Sequence, residues 1–493
     1  MNNTNKYETL DPENWDKLKS LAHQMIEDSF NYIQTIEERP VWQQYPAEVR
    51  NHFSSKAPLE PDSIENAYKE FVDKILPYPM GNIHPRFWAW YMGNGTVQGA
   101  LAEFLASIMN SNLGGGNHVA VIVEEQVINW MKEIIGLPSD SSGLLVSGAS
   151  MANLVGLTVA RNTKAGFNIR EEGLQNAPHK LIVYSSSEVH SSNQKAIELL
   201  GLGKNSFRLI PVNDDYSINI NTLSQAIERD RKEGYKPICV IGNAGTINTG
   251  AIDNLSALAD LCEKENLWFH VDGAIGAIAM LSEKVKPLLS GIERADSVAL
   301  DLHKWMHIPF EAGCILVKNN EDHRNTFSLT PEYLAHETRG LPGGHLWFSD
   351  YGIQLSRQFR ALKVWMSVKE HGLKRFGRMI DRNIEQANYF ADLVKKDSEM
   401  ELVAPVGLDI VCFRFNPGGL NDDALNKLNK EILMQLHERG IAVPSYTTLN
   451  GRYCLRIAIA NHRSKFEDFD VLAREVVNIG KEFEPQYKQS TIN

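Results

Sequence analysis

The chain is 493 residues long, 43% hydrophobic and 23% charged, the balance of a folded globular protein with room for a large buried core and about three domains. Lys plus Arg number 50 against 61 Asp plus Glu, a net charge of −11, so nucleic acid and anionic membrane have no electrostatic support as partners. The five cysteines, Cys239, Cys262, Cys314, Cys412 and Cys454, form no CxxC and no zinc-like spacing, which reads as reduced thiols rather than a disulfide framework.

The opening MNNTNKYETLDPENWD has no basic segment leading into an apolar run, and no window approaches 18 apolar residues; no membrane span is expected and the location expected is cytoplasmic. Residues 12–36 read as an amphipathic helix, with Trp15, Leu18, Leu21, Ala22 and Met25 three and four apart. Prolines at 40, 46, 58, 61, 77, 79 and 85 follow. Residues 1–96 are therefore expected to be an N-terminal helical arm, too thin for its own core, that packs on a partner subunit. From 97 to 372, apolar runs at 144–146, 181–184, 239–241, 267–272, 298–301 and 314–317 alternate with helical stretches such as 151–161, 222–233 and 255–265. This alternation predicts an α/β domain whose mainly parallel sheet is covered on both faces and binds its ligand at the carboxyl ends of the strands. A helical pattern over 353–370 leads into another at 376–395. Strands at 409–414 and 453–458 then flank a helix at 424–439, so 373–493 reads as a smaller α+β domain.

Several motifs carry chemistry. Ser147-Gly148-Ala149-Ser150 joins a strand to a helix; small residues there let backbone amides approach an anion, and the Ser150 hydroxyl adds a donor. A plain capped turn explains it equally well by itself. His190 follows the next strand, where it could stack on a planar ring or serve structure only. Asp272 ends an apolar strand, where a carboxylate needs a cation or several donors unless it is a turn or cap residue. Asp301-Leu302-His303-Lys304-Trp305 follows another strand. A lysine desolvated beside His and Trp has a lowered pKa, and a neutral amine suits Schiff-base chemistry; the bland alternative is a solvated surface lysine. His303 and His307 stand four apart, but a zinc HExxH motif would need Glu where Lys304 stands, so no catalytic metal is expected.

Each signal is weak alone; their order, together with the Gly245–Gly250 loop, is what decides. In that order the chain resembles the pyridoxal phosphate (PLP)-dependent group II amino-acid decarboxylases, most of all the aromatic-L-amino-acid decarboxylase branch, over about residues 65–475. His84-Pro85-Arg86-Phe87, LSRQFRAL at 355–362, Leu455-Arg456 and Asn461-His462-Arg463 add to the match.

The resemblance implies the aspartate aminotransferase-like fold (fold type I), pyridoxal 5'-phosphate as cofactor, an L-amino acid as substrate and a homodimer. It implies that Lys304 carries the cofactor, with His303 beside it, and that Asp272 faces the pyridine nitrogen. His190 and Ala274 would cover the two faces of the ring, Thr246 would lie near it, and Ala149 and Ser150 would bind the phosphate. The loop at 327–340 would be mobile, with Tyr333 protonating the carbon that has lost CO2; aldehyde synthases carry Phe there. His84, Asn94, Asn110, Asn112 and Ser356 would fall in the substrate pocket. Two departures stand out. Asp301-Leu302 replaces the usual Asn-Pro, which puts a carboxylate where Asn reaches the phosphate, and three asparagines make the pocket more polar than in the aromatic branch. The reaction expected is decarboxylation to an amine, of a tyrosine- or dopa-like substrate. A polar substrate (diaminobutyrate-, glutamate- or cysteine sulfinate-like) is an alternative, as is another PLP chemistry such as that of an aldehyde synthase or aminotransferase. A catalytically silent binding protein is disfavoured by the presence of Lys304, Asp272 and His190 together.

Overall fold

The structure, a computed structural model, describes residues 9–175, 177–329 and 337–488. The N-terminal apolar stripe forms the helix Trp15–Gln34, started by Asn14, whose side chain accepts from the Lys17 N–H. The proline-rich stretch that follows ends in a two-residue strand, β1 (Phe87–Trp88).

The six apolar runs of the central segment all form strands, and a seventh joins them. β2 (Ser142–Val146), β3 (Leu181–Ser186), β4 (Phe207–Ile210), β5 (Lys236–Asn243), β6 (Trp268–Asp272), β7 (Ser297–Asp301) and β8 (Gly313–Val317) make one sheet in the order β2-β8-β7-β6-β5-β3-β4. Every residue of β2, β3, β6, β7 and β8 is buried, as continuous apolar runs require when helices cover both faces. β8 runs antiparallel to β2 and β7, and the other pairs are parallel. β2, β3, β5, β6 and β7 therefore end on the same edge. That edge carries the turn after Val146, Asp272 and Asp301, and the helix Ala149–Lys164 starts there and crosses the sheet.

The chain then builds a second sheet. β9 (Met400–Leu402), β10 (Ile410–Phe415), β11 (Val443–Leu449) and β12 (Arg452–Ala458) are antiparallel, and β1 adds to β11 in parallel through Phe87 and Val443. Its core is separate from that of the large sheet and centres on Phe390, Phe413, Phe415 and Phe469. Trp88 of β1 stacks on Phe469 with centroids 4.8 Å apart.

One expected helix is shortened. The pattern over 353–370 becomes helical only at Ala361–His371. Ahead of it, Arg357 is buried and its guanidinium donates to the carbonyls of Leu113 and Leu145 and to Glu124. Its backbone carbonyl accepts from Leu113 N–H. These bonds to a loop at Leu113, a helix at Glu124 and strand β2 at Leu145 hold the segment out of a helix.

Candidate active site

The carboxyl edge of the large sheet gathers the side chains. Lys304 follows β7 and its Nζ lies 3.0 Å from Asp301 Oδ2, with the lysine side chain 17% exposed. The amine also faces the Tyr91 ring, 6.0 Å from its centroid, and the edge of that ring meets Trp305 at 6.2 Å. The lysine is thus seated between a carboxylate and an aromatic face. The other Asp301 oxygen, Oδ1, accepts from the Ala149 N–H at 2.6 Å. The helix that begins at Ala149 therefore already holds an anionic group at its N-terminus, where its backbone dipoles favour one. Ser150, the next residue, is exposed.

His303 is buried against this group. Its Nδ1 accepts from the Ala312 N–H at 3.1 Å, so the neutral ring carries its proton on Nε2, 3.6 Å from Asp301 Oδ1. Burial lowers the pKa of His303, with the Asp301 carboxylate opposing.

One strand over, Asp272 ends β6 and receives three N–H donors. Oδ2 accepts from Asn153 at 2.9 Å and from Asn193 at 2.7 Å, and Oδ1 accepts from the Ala274 backbone at 3.2 Å. His190 caps the helix Ser191–Leu199, taking the Ser192 N–H on Nδ1 at 3.2 Å. Its residue surface is open to solvent, yet the cleft around the ring desolvates it enough to lower its pKa, with Asp272 opposing and Lys304 assisting. Thr246 is buried in its loop, where its hydroxyl meets Thr249 Oγ1 at 3.0 Å and accepts the Ala251 N–H.

The expected substrate-pocket residues divide. Asn94 lies three residues after Tyr91 and donates to Asn461, which in turn donates to the His84 carbonyl at 2.8 Å. His84 is buried, and burial with nearby Arg86 pulls its pKa down to about 4. Asn110, Asn112 and Ser356 form a second, exposed group. Asn112 Oδ1 accepts from Gly114 N–H at 3.0 Å and from Arg357 N–H at 2.9 Å. Among the described residues no hydrogen bond or ion pair joins this group to Lys304. Tyr333 lies outside the described residues.

Sequence reasoning missed Asn153, Asn193, His270 and the Tyr91–Asp409 pair. A signal existed only for His270, which stands two residues before Asp272 and so shares its face of the strand. Tyr91 Oη donates to Asp409 Oδ2 at 2.8 Å, a pairing across 318 residues that no local pattern announces.

A mainly parallel sheet with one reversed strand, a second smaller sheet, and a lysine and an aspartate at the ends of adjacent strands define a PLP-dependent enzyme of fold type I. The residues fit the cofactor: a reachable amine at Lys304, a strand-to-helix turn of small residues at 147–150, and a buried carboxylate at Asp272 met only by N–H donors among its described partners. A model of the pyridoxal-dependent decarboxylase conserved domain matches residues 46–416. The aromatic-L-amino-acid decarboxylase of Bacillus atrophaeus is 35% identical over 479 residues, 96% of this chain and 97% of that protein. The phenylacetaldehyde synthase of Arabidopsis thaliana is 30% identical over 463 residues, covering 91% of this chain and 93% of its own. A crystal structure of Oryza sativa TDC with PLP and tryptamine superposes with a TM-score of 0.89 at 25% identity, covering 96% of this chain and 100% of that one. The chain belongs to the pyridoxal-dependent decarboxylase family. It is a PLP-dependent carboxy-lyase that acts on an amino acid.

Proposed function

We propose that the enzyme converts an aromatic L-amino acid to its amine and CO2, as a cytoplasmic homodimer. The observation that carries the aromatic reading is the 35% identity, over 96% of this chain, to the aromatic-L-amino-acid decarboxylase of Bacillus atrophaeus. Two of the amides that favoured a polar side chain also have structural work, which accounts for their presence without a polar substrate. Asn112 spends its carbonyl on two backbone amides, and Asn110 ends its helix in the left-handed region, φ 46°, a conformation Asn tolerates better than most residues.

When bound, the cofactor supplies an electron sink for the pair released as CO2 departs. In this reading Lys304 would provide the amine that holds it, and the Ala149–Ser150 helix start would receive its phosphate, with Asp301 close by. Asp272 would hold the proton of the ring nitrogen, His190 and Ala274 would cover the ring, and Thr246 and His303 would lie near it. Tyr333 would supply a proton to the substrate carbon after CO2 leaves. The exposed group of Asn110, Asn112 and Ser356 is what a second copy of the chain brings to the pocket, next to Asn94 and His84. Among the described residues no helix is long and apolar enough to cross a membrane. All five cysteines are free and buried, which supports the cytoplasmic location.

The test is product analysis. Purified enzyme with PLP is given tyrosine, dopa, tryptophan, phenylalanine, diaminobutyrate, glutamate and cysteine sulfinate, and CO2, amine and aldehyde are measured. Amine from an aromatic substrate is expected; turnover of only the polar set overturns the assignment. In Tyr333→Phe, amine release should slow and, in oxygen, part of the product should become aldehyde, ammonia and peroxide. Unchanged amine formation without aldehyde returns Tyr333 to a packing role.

A further inference from the structure

Behind Asp272 runs a buried chain of hydrogen bonds with no catalytic group in it. Trp268 Nε1 donates to Ser297 Oγ at 2.8 Å, and Ser297 Oγ meets His270 Nδ1 at 2.7 Å. His270 Nε2 meets Asn153 Oδ1 at 2.9 Å, and Asn153 Nδ2 donates to Asp272 Oδ2 at 2.9 Å. His270, Asn153 and Ser297 are completely buried. The helix that carries Asn153 approaches His270 so closely that a Cβ on Gly156 would lie 2.8 Å from the ring. The contact is therefore built in by a glycine.

The direction of every bond follows from its ends. An indole N–H can only donate, so Ser297 Oγ accepts from Trp268 and its own hydrogen is free for His270 Nδ1. Burial lowers the His270 pKa, with Asp272 pulling the other way, so the ring is neutral at pH 7 and its one proton sits on Nε2. That proton goes to Asn153 Oδ1, which turns the Asn153 N–H toward Asp272. The opposite tautomer would turn the Asn153 carbonyl toward the carboxylate, placing two acceptors face to face. Asn193 supplies a second N–H to the same oxygen at 2.7 Å.

We propose that His270 and Ser297 are positioning residues that act through Asn153, locking its amide so that the Asp272 carboxylate is held aimed at the cofactor's ring nitrogen. This rests on the proposed role of Asp272. A ring nitrogen keeps its proton only while a charged, oriented acceptor faces it, and a freely rotating amide at position 153 could offer that acceptor its carbonyl. The network therefore acts on the protonation of the cofactor rather than on substrate contact.

The experiment reads the ring nitrogen directly. Wild type, His270→Phe, His270→Gln and Asp272→Asn are each loaded with 15N-labelled PLP, and the pyridine 15N shift and PLP affinity are measured. Wild type should show the protonated nitrogen and Asp272→Asn should lose it. His270→Phe, which removes the donor to Asn153, should move the signal toward the unprotonated position and weaken PLP about 10-fold or more, the scale of one hydrogen bond to a charged group. His270→Gln keeps an N–H toward Asn153 and should restore both readings. If Asp272→Asn keeps the protonated signal, the role of Asp272 itself fails. If Asp272→Asn loses it while His270→Phe retains it, the relay alone is overturned. Should His270→Phe not fold, Asn153→Ala takes its place under the same two outcomes.

Discussion

At the scale of single residues, two of the buried carboxylates in and behind the site have contrasting neighbours. Asp301 sits between a cation and a helix N-terminus, bonded to Lys304 at 3.0 Å and to the Ala149 N–H at 2.6 Å. Lys304→Ala should abolish turnover and, after borohydride treatment with PLP, leave no cofactor attached to the protein; a stable adduct at another lysine would displace Lys304 from its role. Asp409 is the opposite case. It is buried, and burial pushes its pKa up to about 7, against the pull of the Tyr91 hydroxyl and Arg456. Its unfolded value is near the ordinary 3.8, so between about pH 4 and 7 the folded chain holds a proton that the unfolded chain has released. Stability from this group is thus greatest at low pH, falls as pH rises toward 7 and is flat above. Urea midpoints at pH 5 and pH 8 check this: the midpoint should drop less between them in Asp409→Asn than in wild type. Equal drops would mean that Asp409 does not titrate in that window.

At the scale of elements, the catalytic edge depends on how closely β8 approaches the turn after β2. A Cβ on Gly313 would lie 2.5 Å from Gly148 Cα and 2.7 Å from its carbonyl carbon, a clash with backbone that no rotamer relieves. Gly313→Ala should therefore push the turn at 147–150 off its seat and weaken PLP binding at least ~10-fold, about what loss of one charge-assisted hydrogen bond costs. Equilibrium dialysis of PLP measures it, and an unchanged affinity would mean that the turn does not hold the phosphate. The buried strands and the helix Leu255–Glu265 were legible because their apolar runs and helical spacing are local properties of the sequence. β4 was not, because Arg208 interrupts it and Leu209 is exposed at the sheet edge. β11 hid behind Pro444 and an inverted pattern, with Ser445 and Thr447 buried and Tyr446 exposed. In the site, Lys304 and Asp272 announced themselves by standing at strand ends. Asn153 did not, because its partners, on β6 and in the helix Ser191–Leu199, reach it only through the crossing of the helix that carries it.

At the scale of the whole molecule, the question is what covers the helix Val97–Met109. Its buried residues are small, Gly99, Ala102 and Ala106, while its large side chains point outward: Phe104 is 57% exposed, Ile108 71% and Met109 56%. Together with Met25, Ile26 and Phe30 of the arm, Leu101 and Phe104 line an apolar groove. A face of this kind on a chain of net charge −11 is costly in water, and burying it against a second copy removes the cost for both at once. The same helix ends at Asn110, two residues from Asn112, so a dimer through this face would place those amides and Ser356 at a subunit boundary. Ile108→Lys should therefore break the dimer. It would bury an unpaired ammonium on each side of the two-fold, which should weaken association at least ~100-fold by the desolvation of an unpartnered charge. Sedimentation velocity should find wild type as a dimer and Ile108→Lys as a monomer, with turnover lost alongside because the proposed pocket takes Asn110, Asn112 and Ser356 from the second copy. A wild-type monomer that turns over substrate would overturn the homodimer. An Ile108→Lys monomer with full activity would show that Asn110, Asn112 and Ser356 serve no neighbouring site.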